Sequence, residues 1–174
     1  MFRASTFAIV NDMSRAIDDD RITAMGLLFE VHQGLTTRLG QSLGAHGLSL
    51  IEFEVLMRIS RTPGQRLRMS DLATQTSLTT SGVTRVVDRL EKTGLVLRTE
   101  CDNDRRGTWA TITETGSARL EAATRDHLDD IDRWYTGLLS DDQLAGLTDA
   151  LRVIRDSVRP ESVAGIRDAA AVAS

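Results

Sequence analysis

Residues 79–116 constrain what this chain can fold into more than any other stretch. Val83, Val86, Val87 and Leu90 recur at helical spacing, so residues 79–92 read as a helix with one apolar face. Gly94 closes that helix as a C-terminal cap. Two short strand-like runs follow, 95–97 and 109–112, around a polar tip at 101–107 that presents Arg105 and Arg106 side by side. A helix followed by an arginine-tipped hairpin lets a small domain grip DNA at two grooves together.

The residues before this helix complete the pattern. Residues 67–69 are long enough only for a sheet-edge strand. Ser70 is expected to cap a short helix over 71–76, with Leu72 and Ala73 inward, and Ser77-Leu78 makes a tight turn into Thr79. Two short helices, a tight turn and a polar outer face on the second helix are helix-turn-helix grammar. The expected fold class is therefore mainly α (α+β), a winged helix-turn-helix with flanking helices. Recognition would fall to helix 79–92 and wing 98–109.

On the second helix the outward residues include Thr80, Ser81, Thr84, Arg85, Asp88 and Arg89. Hydroxyls and backbone N–H groups at a helix N-terminus, here Thr79, Thr80 and Ser81, suit phosphate or base-edge contact. Arg85, one turn further in, has the reach for guanine O6 and N7, worth about 1–3 kcal/mol of discrimination when bidentate. Arg89 and Lys92 lie further back, where either phosphate contact or pairing with Asp88 and Glu91 is open. Arginine on the tip suits a narrow, electronegative minor groove.

Charge distribution agrees, although the chain as a whole carries −4. Residues 58–108 hold ten Lys or Arg against six Asp or Glu, a local +4, and the flanks are acidic. A basic middle between acidic flanks is a footprint suited to phosphate, with the flanks facing away. The alternative is a winged module that binds protein and not DNA. No apolar run approaches the length of a membrane span, so no membrane partner is expected. The single cysteine excludes an intramolecular disulfide and fits a reducing cytoplasm. No Gly-rich phosphate loop, nucleophile elbow or His-Asp-Ser set with local context appears, and His46, His127 and Cys101 lack metal-site spacing. No enzyme activity, cofactor or metal is expected.

Outside the centre, residues 1–20 read as a mobile lead-in, with Met13 an alternative start. Apolar positions 25, 28, 29, 35, 39 and 43 fall mostly on one face of a helix over 22–43, which Gly44 and Gly47 are expected to break. Ser49 and Glu52 form a capping box for a second helix, ended by Pro63-Gly64. Ser140 and Gln143 repeat that signature for a helix carrying Leu144, Leu147, Leu151 and Ile154. Their stripes are open to packing within one subunit or between two. Three helices outside a small winged domain carry more apolar surface than that domain alone easily covers. Residues 160–174 are Ala-rich and expected to fray.

The segment MSDLATQTSLTTSGVTRVVDRLEKTGLVLR, followed by DRRGTWATITETG, resembles the MarR family of bacterial transcriptional regulators. The family wing has the form Asp-x-Arg, a few residues, then Leu-Thr-x-x-Gly. Here these are Asp104, Arg106, Ile112-Thr113 and Gly116, with isoleucine for leucine. The resemblance implies that Arg106 enters the minor groove with Asp104 pairing to it, that Arg105 is a phosphate contact or structural pair, and that Arg85 sits on the recognition helix. It also implies that Thr113 caps a long helix running to about Leu139, with Ala118, Leu120, Leu128, Ile131 and Leu138 buried. First and last helices of two subunits would interleave.

The domain organisation that results is a helical dimerisation region, 21–62 and 114–159, around a DNA-binding domain at 63–113. The implied partners are a double-stranded, near-palindromic DNA operator, a second copy of the chain as homodimer, and a small aromatic or anionic effector. His32, which interrupts the first helix's apolar face, is either a residue of that effector pocket or a satisfied, partly buried histidine. Cys101 at the wing base has no second cysteine to resolve an oxidised form. Trp109 reads as core packing behind the wing.

Overall fold

The computed structural model describes residues 18–76, 78–101 and 104–159, with residues 101 and 104–106 described by their backbone. The lead-in before residue 18, Ser77 and the tail from 160 fall outside the described residues. Helix α1 spans Asp20–Ala45, α2 Leu50–Ser60, strand β1 Arg66–Arg68, α3 Met69–Thr76 and α4 Thr80–Lys92. Strands β2 (Val96–Cys101) and β3 (Asp104–Ile112) form the hairpin, followed by α5 (Glu114–Trp134) and α6 (Asp141–Val158). Packing divides the described chain between Arg38 and Leu39, within α1.

Local chemistry sets most boundaries. Both expected capping boxes form: Ser49 with Glu52 opens α2, and Ser140 with Gln143 opens α6. Gly44 does not break α1, which runs on to Ala45; the chain turns at Gly47, whose φ of +69° a side chain would resist. Ser70 is not a cap, because α3 already begins at Met69. Helix α5 stops at Trp134, short of the expected Leu139, and Thr136–Leu138 forms a 3-10 turn. Thr136 and Gly137 are weak helix formers at that point. Gly137 also lies so close to the Asp132 carbonyl that a Cβ would intrude.

The three strands are antiparallel in the order β1-β3-β2. One sheet face carries Leu67, Val96, Ala110 and Ile112, all buried. They join Phe53, Leu56 and Ile59 of α2, Leu72 of α3, and Val83, Val87 and Leu90 of α4 in a single core. Leu120 and Ala123 of α5 reach the same core, as does Leu43. The core therefore sits under the helix-turn-helix and its hairpin. Other expected burials fail within one chain: Ala118 is exposed, as are Leu128 and Leu138, and α6 buries nothing. No helix among the described residues is long and apolar enough to cross a membrane.

Candidate nucleic-acid interface

Helix α4 is positioned from its N-terminus. Thr79 is extended, and its hydroxyl accepts the Gly82 N–H at 3.1 Å, satisfying one of the orphan donors of the first turn. Thr79 is thus a cap first, in contact with the Ser81 hydroxyl. The Thr84 hydroxyl donates to the Thr80 carbonyl at 2.9 Å. Thr80, Ser81, Thr84 and Arg85 are all exposed on one face, opposite the buried Val83, Val86, Val87 and Leu90. The Arg85 side chain makes no hydrogen bond or ion pair with the described residues, so its five donors are available.

Arg89, one turn on, is differently placed. Its Nε donates to Glu52 Oε1 of α2 at 2.8 Å, and Nη1 reaches the Arg85 carbonyl at 3.4 Å. Neither Asp88 nor Glu91, the partners open to it from sequence, takes it. Glu52 also accepts from the Ser49 hydroxyl and N–H, at 2.7 and 2.9 Å. Burial raises the Glu52 pKa, but the Ser49 bonds and Arg89 outweigh it and hold the carboxyl below its ordinary range. The carboxylate caps α2 and ties α4 to it. Beside this pair lies a cleft of about 270 Å³, lined by Leu48, Leu90, Leu95 and Lys92 among others.

Asp88 and Glu91 are taken by a residue the sequence reading left unassigned. Arg98 Nη1, on β2, donates to Asp88 Oδ1 at 2.6 Å and to Glu91 Oε2 at 3.2 Å. Its Nη2 donates to the Thr84 carbonyl at 3.1 Å. One half-buried guanidinium therefore binds the reading helix to the root of the wing. The available signal was two acids three residues apart on α4, with an arginine at the hairpin's start.

The hairpin itself is longer than expected. Cys101 pairs with Asp104, so both strands run further toward the tip than expected, and residues 101 and 104–107 of the supposed tip are strand. Between the Glu100–Thr108 and Cys101–Asp104 pairs the register shifts, leaving residues 105–107 of β3 without β2 partners. Arg105 and Arg106 occupy that backbone irregularity. Asp104, Arg105 and Arg106 are thus placed by backbone only.

Behind the hairpin, Thr113 links it to α4 and α5. Its hydroxyl donates to the Gly94 carbonyl at 2.7 Å and accepts the Gly116 N–H at 2.9 Å. Its own N–H donates to the Leu95 carbonyl at 3.0 Å. A Cβ on Gly116 would fall on that same carbonyl. The threonine and glycine of the sequence pattern therefore make one junction. Trp109 is not core: it is half-buried on the outer sheet face, with the Arg66 and Arg68 guanidiniums 4.8 and 5.2 Å from its ring centroid. His32 is exposed on α1 and is not among the residues lining the cleft there, which include Ile22, Met25 and Phe29. No cluster of three or more His, Cys, Asp or Glu that would hold a metal occurs among the described residues.

Known proteins share this arrangement. A family model described as "MarR family" matches residues 46–107, from the α1–α2 turn through the hairpin tip. The chain is similar to AbsC, a MarR family transcriptional regulator from Streptomyces coelicolor, at 34% identity. That alignment covers 82% of this chain and 96% of AbsC, with a TM-score of 0.77. It is similar also to Sco3205 of the same organism, a MarR family transcriptional regulator solved in complex with DNA. Here the identity is 27% and the TM-score 0.77, over 81% of this chain and 89% of the other. Among sequences, the HTH-type transcriptional repressor Mb2911 of Mycobacterium bovis is 34% identical over 57% of this chain and 72% of its own length.

Proposed function

Because the chain belongs to the MarR family of transcriptional regulators, we propose that it is a homodimeric, ligand-responsive repressor. It reads a near-palindromic operator with α4 and holds the flanking minor groove with the wing. The observation that carries this reading is Arg85: exposed, unpaired among the described residues, one turn inside a capped helix N-terminus, on a helix clamped to the wing by Arg98. A helix so fixed presents Arg85 to a major groove in one orientation, and bidentate guanine recognition requires that.

The division of labour follows from chemistry. Arg85 reads bases, Thr80, Ser81 and Thr84 contact the adjacent backbone or base edges, and Arg105 and Arg106 act at the wing, with Asp104 directing Arg106. Thr79 serves chiefly by capping the helix and Arg89 by bracing it. Helices in 21–62 and 114–159 pair two subunits, placing recognition helices about 34–36 Å apart. Occupancy of the operator then competes with polymerase. A small aromatic or anionic effector that binds better to a dimer with mismatched spacing releases it, for which a few kcal/mol of differential affinity suffices. The protein works in the cytoplasm and catalyses no reaction.

The test is titration of a duplex selected from a randomised pool. Arg85→Ala should relax preference at one position per half-site, whereas Arg106→Ala should weaken all sequences together. Wild-type affinity in both variants would remove these site assignments. A chain that selects no duplex, with no salt-dependent binding, would favour the protein-binding alternative.

A further inference from the structure

We propose that Arg98 is a positioning residue for base recognition: by holding the peptide group that precedes Arg85, it sets the sequence preference of α4 without touching DNA itself. This rests on the reading that Arg85 meets bases, and deepens it by naming what aims that side chain. The Thr84 carbonyl, which accepts from Arg98 Nη2 at 3.1 Å, belongs to the peptide bond joining Thr84 to Arg85. A guanidinium bonded there fixes the peptide plane from which Arg85 departs. Bidentate base contact tolerates little angular error, so the plane's orientation decides whether the contact forms.

The remaining bonds make the hold rigid. Nη1 takes Asp88 Oδ1 at 2.6 Å and Glu91 Oε2 at 3.2 Å, and the Arg98 backbone N–H donates to Glu91 Oε1 at 3.3 Å. Thr84, Asp88 and Glu91 follow the i, i+4, i+7 spacing of one stripe along α4. Bonds spread along a stripe resist both rolling of the helix about its axis and sliding along it. On the strand side Arg98 pairs with Ala110, which is fully buried, so the anchor moves only with the core. Charge gives a second reason. Asp88 and Glu91 are acids on the helix that enters the groove, where unpaired carboxylates would repel phosphate. Arg98 engages both. The planar fork of a guanidinium can do this and reach the carbonyl at once, whereas a lysine ammonium is a single flexible point charge.

The experiment uses the full-length protein, the selected operator, and the same operator changed at the base pair whose preference Arg85→Ala relaxes. Binding is followed by fluorescence anisotropy across salt, with a thermal melt for each variant. Arg98→Gln and Arg98→Lys should each lower the affinity ratio of the two duplexes about tenfold, the scale of one bidentate base contact. The salt slope should keep its wild-type value, since no phosphate contact is lost. Asp88→Asn loosens the clamp from the helix side and removes a carboxylate, so it should bind both duplexes more tightly while discriminating less. In the Arg85→Ala background, Arg98→Lys should cost the operator no further affinity, because both changes act on one contact. An unchanged ratio in the Arg98 and Asp88 variants overturns the proposal, as does a further loss in that background. A slope lowered by about 0.9 overturns it too, by making Arg98 itself a phosphate contact. If Arg98→Gln does not melt cooperatively, Arg98→Lys and Asp88→Asn decide. Should Arg85→Ala relax no position at all, the underlying reading of Arg85 falls instead.

Discussion

Arg85 and Arg89 lie one helical turn apart on α4, yet their surroundings assign them different work. The Arg85 side chain has no partner among the described residues, and Arg89 is held by Glu52, a carboxylate only 13% exposed. Arg89→Ala should therefore cost about 1 kcal/mol in urea unfolding, because it removes a charge-assisted bond near the surface. Arg85→Ala should leave the unfolding midpoint unchanged while operator affinity falls. Matching losses of stability in both variants would contradict this assignment. Gly116 is a sharper case. Any Cβ there meets the Leu95 carbonyl and the Ile112 side chain, neither of which is a flexible chain end. Gly116→Ala should destabilise by about 1–3 kcal/mol or more, read as a lowered denaturant midpoint. The sequence pattern marked this glycine; the reason for it lies in the α5–hairpin junction.

At the scale of elements, the capping boxes, the turn at Pro63-Gly64 and the apolar face of α4 were legible because each depends on residues within one or two turns. What was not legible runs between elements. Arg98 reaches back ten residues to Asp88, and Glu52 reaches forward 37 to Arg89. Local spacing suggested neither pair, since an arginine near several acids has several equivalent choices until the chain is folded. The Glu52 brace has a pH consequence. Its carboxyl titrates below the ordinary value in the folded chain, so the stability it contributes is complete above about pH 4.3, the unfolded range. That contribution is lost as pH falls through the folded value. Glu52→Gln should accordingly be less stable at neutral pH and show a shallower acid decline, measured by thermal melts between about pH 3 and 7. Parallel acid limbs for wild type and variant would place the titrating group elsewhere.

Taken as a whole molecule, the chain keeps its core beneath the helix-turn-helix and hairpin and leaves apolar residues bare on the outer helices. Ile22, Met25, Leu28 and Phe29 on α1, Leu128 on α5, and Val153, Ile154 and Val158 on α6 are all exposed. Exposed apolar residues in this number, on α1 in one unit and separately on α5 and α6 in the other, suit association, in keeping with the proposed homodimer. Ile154 is 50% exposed, so Ile154→Asp should leave the single-chain fold intact while weakening assembly. Sedimentation should give a dimer for the wild type at micromolar concentration and a lighter species for the variant, with operator affinity lost in parallel. A wild-type monomer at that concentration would remove the dimer from the proposal.

By itself the sequence determined the order of elements, the helix caps, the face of α4 that turns outward and the place of the wing. Those follow from periodicity and from hydrogen bonds closed within a few residues. Only the tertiary structure decided that the Arg85 side chain has no partner among the described residues, which arginine braces α2 against α4, which clamps the wing, and that Trp109 lies outside the core under Arg66 and Arg68. A charged side chain has many partners in sequence and one neighbourhood in space. Its role is set when packing selects that neighbourhood.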